Sequence, residues 1–100
     1  MIPNRAELSL SVDEAAWSLL RAHLERGGLI LVDDTLDLVD AAVKVASDDN
    51  ATIKEWINAG KIGKPSGTQI HSWDEDTQKK FAMLIVSPYV LIQERLPTIH

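Results

Sequence analysis

Residues 27–43, Gly-Gly-Leu-Ile-Leu-Val-Asp-Asp-Thr-Leu-Asp-Leu-Val-Asp-Ala-Ala-Val, constrain the fold more than any other stretch of the chain. Residues 29–32 are apolar at four consecutive positions, so a strand made from them must be covered on both faces. Asp33, Asp34 and Thr35 then offer side-chain oxygens to the free amides of a helix start. An apolar strand running through an acidic turn into a helix predicts a central strand with helices packed against it. A chain of 100 residues makes one domain, large enough to bury a core without staples.

Helix signals flank that strand on both sides. Ser11-Val12-Asp13-Glu14 has the form of a capping box and predicts a helix over residues 12–25, with Ala16, Leu19, Leu20, His23 and Leu24 at helical spacing and a stop at Gly27-Gly28. After the strand, Leu36, Val39, Val43 and Ala46 mark a second buried stripe, while Asp37, Asp40 and Lys44 face water. Asp37 and Asp40 sit where a helix dipole favours negative charge. Ser47-Asp48-Asp49-Asn50 ends this helix and caps a third over residues 51–59, carrying Ile53, Trp56 and Ile57 and stopping at Gly60. Residues 60–67 read as a loop, after which Ser66 or Thr68 caps a fourth helix with Ile70 and Trp73 that frays near Asp74-Glu75-Asp76. Trp17, Trp56 and Trp73 are expected in packed positions.

Residues 81–86 and 89–94 are β-forming stretches separated by Ser87-Pro88. Proline cannot supply the positive φ of a tight hairpin turn, so a kinked or bulged strand is expected in preference to a hairpin. A strand containing proline belongs at a sheet edge. Tyr89, Val90, Ile92 and Gln93 are therefore the candidate interaction edge, with protecting charges (Lys79, Lys80, Glu94, Arg95) only at the two ends of the stretch. A homodimer or a docked protein would cover that edge, and a helix or the tail from Leu96 covering it within the monomer is the equal alternative. The expected architecture is α+β: about four helices on a two- or three-stranded sheet, with residues 1–10 an N-terminal extension, 11–95 the domain and 96–100 a tail.

Charge and composition narrow the function. The net charge of −5 belongs to residues 33–49, which hold six aspartates and one lysine, and a solvated helix face accounts for it. Without cysteine there is no disulfide, thiolate nucleophile or cysteine-bound zinc. The first residues lead into no signal-peptide core, and the longest apolar run, 81–92, is broken by Ser87 and Pro88, well short of the about 20 residues that span a membrane. A cytoplasmic protein with no membrane segment is expected. Gly63-Lys64 is followed by Pro65 and preceded by a helix, which is not a P-loop, and neither a Gly-x-Ser-x-Gly elbow nor a His-Glu-x-x-His pair occurs. No cofactor and no metal are called for, since Asp33 and Asp34 follow capping logic rather than the alternating ligands of a calcium loop.

The pattern Leu20-Arg21-Ala22-His23, Arg26-Gly27, Val32-Asp33, Leu36-Asp37-Leu38-Val39, Asp49, Trp56, Gly60, Lys64-Pro65-Ser66, Trp73, Pro88 and Val90-Leu91-Ile92-Gln93-Glu94 resembles a bacterial family, the domain of unknown function family 2288. The resemblance covers nearly the whole chain and implies a compact bacterial domain, with no reaction, cofactor or partner attached.

The resulting reading is a protein-interaction or structural and regulatory module without catalysis, with a protein or a second copy as partner. Two alternatives stand beside it. Residues 51–62 look like the recognition segment of excisionase-like and MerR-like helix-turn-helix proteins, so residues 36–62 would place Thr52, Lys54, Glu55 and Asn58 toward a DNA groove, with Lys61 and Lys64 in the wing. The acidic helix before it opposes phosphate binding, which makes nucleic acid the weaker partner. The other alternative is an enzyme with an unrecognised site around Asp33 and Asp34, drawing on His23 or His71, because binding sites gather where open-sheet strands end.

Overall fold

The computed structural model describes residues 5–76 and 78–94. Its element order is α1 (Arg5–Leu10), β1 (Asp13–Ala16), α2 (Trp17–Glu25), β2 (Leu29–Val32), α3 (Leu38–Ala46), α4 (Asn50–Asn58), β3 (Ile62–Gly63), α5 (Gly67–Glu75), β4 (Lys80–Val86) and β5 (Tyr89–Gln93). The strands form one sheet in the order β1-β4-β5-β2-β3. Only β2 and β5 run parallel; every other pair is antiparallel.

Alternation along the strands divides the core into two. Val32, Ile62, Leu84 and Leu91 pack with Leu8, Leu38, Val39, Ala41 and Ala42 of α1 and α3. Leu29, Phe81, Val90 and Ile92 pack on the opposite face with Trp17 and Leu20 of α2 and Trp73 of α5. The sheet is thus covered on both sides, as the unbroken apolar run of β2 requires. The α+β expectation holds at that level, with five strands and five described helices in place of two or three strands and about four helices.

The expected helix over residues 12–25 begins only at Trp17. Residues 13–16 instead pair with β4, from Asp13 opposite Met83 to Ala16 opposite Lys80. The Ser11 hydroxyl donates to the Glu7 carbonyl at 3.3 Å and so closes α1 rather than capping α2. Cross-strand pairing that buries Ala15 beside Phe81 prevails over the local capping pattern. Residues 5–10, expected within an extension, form α1, whose Leu8 is buried in the α3 core. The expected tail, 96–100, and Arg95 lie outside the described residues.

The second expected helix starts at Leu38, with Asp37 rather than Asp33, Asp34 or Thr35 as its cap: the Val39 amide donates to Asp37 Oδ1 at 2.8 Å. Its buried face is Leu38, Val39, Ala41 and Ala42. The third helix is α4, capped by Asp49, whose Oδ1 accepts from the Thr52 amide. The fourth is α5, where Ser66 and Gln69 form a full capping box. Gly27 and Gly60 turn the chain after α2 and α4 at φ of +78° and +74°, a region glycine enters without a Cβ clash.

The largest departure concerns the C-terminal strands. Ser87–Pro88 is a two-residue hairpin turn, with Val86 opposite Tyr89 and a cis peptide between the two turn residues. The positive-φ requirement belongs to I′ and II′ turns, whereas a cis proline at the third position reverses the chain as a type VI turn. Tyr89, Val90, Ile92 and Gln93 are consequently no edge. β5 is the middle strand, paired with β4 on one side and β2 on the other, and Val90, Leu91, Ile92 and Gln93 are all buried. Pro88 lies in the turn, where no ladder hydrogen bond is required of it. β2 is internal but flanks the middle strand, and the edges of the sheet are β1 and β3.

Candidate functional site

The parallel pair β2 and β5 ends in register, with Val32 beside Gln93, and the chain then breaks into polar residues on both strands. Gln93 is buried, and its side-chain amide donates to the Asp33 carbonyl at 2.9 Å and the Leu36 carbonyl at 2.6 Å. This amide pins the acidic turn that follows β2. Sequence reasoning placed Gln93 on an exposed edge; it is an internal clamp.

From the pinned turn, the Asp33 carboxylate accepts from the Thr35 hydroxyl and from Lys61 Nζ at 3.4 Å, while Lys61 Nζ also donates to Thr35 Oγ1 at 2.9 Å. The Asp33 amide donates to the Lys61 carbonyl at 2.7 Å, which ties this cluster to the start of β3. The Thr35 hydroxyl and then the neighbouring Lys61 ammonium hold the Asp33 carboxyl below the usual carboxylate range. Beside Asp33, just past the end of β5, Glu94 Oε1 accepts from the Trp73 indole at 3.2 Å and from Lys79 Nζ at 3.0 Å.

These groups enclose a cleft of about 340 Å³. Its polar side chains are Asp33, Asp34, Lys61, Lys64, Gln69 and Glu94, and Leu31, Val32 and Ile62 contribute the apolar floor. Asp33, Asp34, Lys61 and Lys64 were marked in the sequence under two separate readings, and the structure brings them to one place. Gln69 and Glu94 were not marked as site residues. The Ser66-x-x-Gln69 spacing was a visible signal for the first, since it fixes the start of α5; no local signal brings Glu94 to the cleft, because its position follows from the β2–β5 pairing.

The remaining marked residues lie elsewhere. Lys54 and Asn58 are exposed on α4 and Thr52 sits at its capped start, and none of the three lines the cleft that Lys61 and Lys64 line. Neither His23 nor His71 lines the cleft: the His23 carbonyl accepts from Gly28, at the opposite end of β2 from Asp33, and His71 pairs with Glu75 on the outside of α5. A second, more apolar groove of about 320 Å³ opens beside the cleft, between α4 and the sheet, with Ile30, Ile53, Ile57 and Tyr89 among its walls. Among the described residues no group of three or more histidine, aspartate or glutamate side chains is placed to hold a metal ion, and no helix is long and apolar enough to cross a membrane.

A family model described as "Protein of unknown function (DUF2288)" matches residues 3–94. The chain belongs to the DUF2288 family. It is similar to the solution structure of PA1075 from Pseudomonas aeruginosa, determined by NMR, with a TM-score of 0.79 and 31% identity over 95% of this chain and 89% of the other. No curated protein matches the sequence. Membership carries the fold and no activity, so function rests on the geometry of the cleft.

Proposed function

We propose that this protein is a non-catalytic binding module whose site is the polar cleft at the carboxyl ends of β2 and β5. The carrying observation is convergence: six ionisable or amide side chains from four separate segments meet over an apolar floor. Open α/β sheets hold ligands beyond the carboxyl ends of parallel strands, and β2 and β5 are the parallel pair of this mixed sheet. An apolar base with a few placed polar groups is the usual composition of a small-molecule site.

Binding is favoured over catalysis by the state of Asp33. With its pKa lowered by Thr35 and Lys61, it is fully ionised near neutrality, so it has no proton to donate and is a weak base. The expected protein partner or homodimer loses its support, because the strand assigned to that contact is the middle of the sheet. Nucleic-acid binding is disfavoured by the carboxylates of Asp33, Asp34 and Glu94 around Lys61 and Lys64.

Amide chemical shifts of the whole chain, followed by NMR during titration with acetate, methylammonium, inorganic phosphate and short peptides, test the proposal. Saturable shifts clustered at residues 33–34, 61–64, 69 and 94 are expected with at least one of these probes. Shifts confined to the apolar groove, or none that saturate, would overturn it.

A further inference from the structure

We infer that the groove between α4 and the sheet takes an extended apolar peptide, added as a strand alongside the first half of β2. This site does not depend on the polar cleft. β5 runs beside all of β2, from Leu29 opposite Val90 to Val32 opposite Gln93, whereas β3 on the other flank reaches only Leu31 and Val32. Leu29 and Ile30 therefore have a strand on one flank and none on the other. Both line the groove, together with Gly63 and Lys64, where the chain of β3 leaves the sheet. Pro65, next along, has no N–H with which to extend that ladder.

Two hydrogen bonds fix which way the main chain faces on the open flank. The Val90 amide donates to the Gly28 carbonyl at 2.8 Å, so Gly28 faces β5 and the next residue, Leu29, faces away from it. The Asp33 amide donates to the Lys61 carbonyl at 2.7 Å, and the same alternation carried back along β2 again puts Leu29 on the β3 side. No described residue makes a hydrogen bond to the Leu29 N–H or C=O on that side. The Leu29 side chain packs with Trp17, Phe81 and Ile92, on the face opposite Ile30, Val45 and Ile53 of the groove, so what Leu29 presents to the groove is its main chain. Leu29 is only 2% exposed. A main-chain donor and acceptor at that depth are costly unless paired, and folded chains leave few of them orphaned.

These two groups select the occupant. A hydrocarbon chain would fill the groove and leave them unpaired, whereas an extended peptide brings an N–H and a C=O to the same flank and continues the sheet. Successive side chains of an added strand point to opposite faces. Those on the α4 side enter among Ile30, Val45, Ile53 and Ile57, which calls for apolar residues there. α4 lacks such a cover within the described chain: it carries Ile53, Trp56 and Ile57 along one stripe, yet none of its residues is buried, and Ile57 is 53% exposed.

The test is a titration of the whole chain with acetyl-Ser-Val-Ile-Val-Ser-amide, followed by NMR through amide shifts and hydrogen exchange. Saturable shifts are expected at Leu29, Ile30, Ile53 and Ile57, with slower exchange of the Leu29 amide in the complex. Methylating the peptide's amide nitrogens one at a time should weaken binding about tenfold where the N–H faces β2, and leave it unchanged at the neighbouring position, which faces away. Ile57→Ser, at an exposed position outside both cores, should weaken binding as well. Equal affinity of every methylated peptide, unchanged exchange at Leu29, or indifference to Ile57→Ser would overturn strand addition. So would no saturable response, or shifts at residues 33–34, 61, 69 and 94 alone, which belong to the cleft. Shifts confined to the groove would uphold this site and count against the cleft.

Discussion

The two faces of the sheet are packed by different chemistry. On the side of α2 and α5, three aromatic rings meet: Trp17 and Trp73 lie 4.9 Å apart at a 65° tilt, and Phe81 is 4.8 Å from Trp73 and 5.8 Å from Trp17. On the side of α1 and α3, Ala41 and Ala42 face Leu84, Leu91 and Val32. Large rings fill the first space, and close helix approach fills the second. The difference has a polar consequence, because an indole brings an N–H into the core that needs an acceptor. Trp17 donates to Asp74 at 2.8 Å, and Trp73 donates to Glu94. Asp74 also takes two bonds from Arg21, at 2.9 and 3.1 Å, which fastens α2 to α5. The buried residues described on the alanine face include no indole, with Trp56 only partly buried against it; the aromatic face places acceptors at its rim, and one of them, Glu94, forms a wall of the polar cleft.

The comparison is broken most severely at Phe81. Phe81→Ala is expected to lose about 3–5 kcal/mol in urea unfolding, since the ring is fully buried between two indoles that cannot collapse into its volume. An effect below about 2 kcal/mol would mean that the aromatic face is not packed as described. The opposite face should fail by crowding: Ala42→Leu is expected to cost about 1–3 kcal/mol, because Ala42 has no exposed surface and α3 has nowhere to move but off the sheet. A neutral result would show space above Leu84 and Leu91.

A finer distinction comes from Trp73→Phe, which keeps one aromatic ring and removes the donor together with part of the buried volume. A loss of about 2 kcal/mol is expected, about 1 from the missing hydrogen bond and the rest from the vacated volume. A loss as large as that of Phe81→Ala would assign the role of Trp73 to shape alone. The smallest effect is on pH dependence. Asp74 titrates below the usual carboxylate range, first because of the Trp17 indole and then Arg21, and Asp49 does so because of Thr52 and then Lys44. A carboxylate with a lowered folded pKa stabilises the fold above its unfolded value, 3.8, and loses that contribution as pH falls through the folded pKa. Urea midpoints between pH 5 and pH 2 should therefore decline, less steeply in Asp74→Asn. An unchanged slope in that variant would place the acid sensitivity with Asp33 and Asp49.

Local signals were legible wherever one segment decides its own structure. Asp49 and Gly60 bound α4 within a residue of expectation, Ser66 caps α5, and the apolar run of residues 29–32 is a buried strand. What was hidden depends on partners far along the chain. Residues 13–16 read as helix until β4 is beside them, and Ile62 and Gly63 carry no strand signal apart from β2. The cleft shows the same limit. Asp33, Asp34, Lys61 and Lys64 each stood out by type and position, but under different hypotheses, because no spacing in the sequence reveals that β3 returns alongside β2.

The place of β5 sets the order in which the molecule can be built. Without residues 89–93 the chain holds two separate ribbons, β1 with β4 and β2 with β3, and isolated two-stranded ribbons are marginal in water. β5 joins them, through a hairpin to β4 and through contacts such as Leu29 with Val90 across most of the chain length. During synthesis, a polypeptide that has emerged only as far as Pro88 therefore owns both halves of its sheet and no means of uniting them. Both cores wait on the same five residues, so the domain is committed late and in one step, with the slow closure that distant pairings impose.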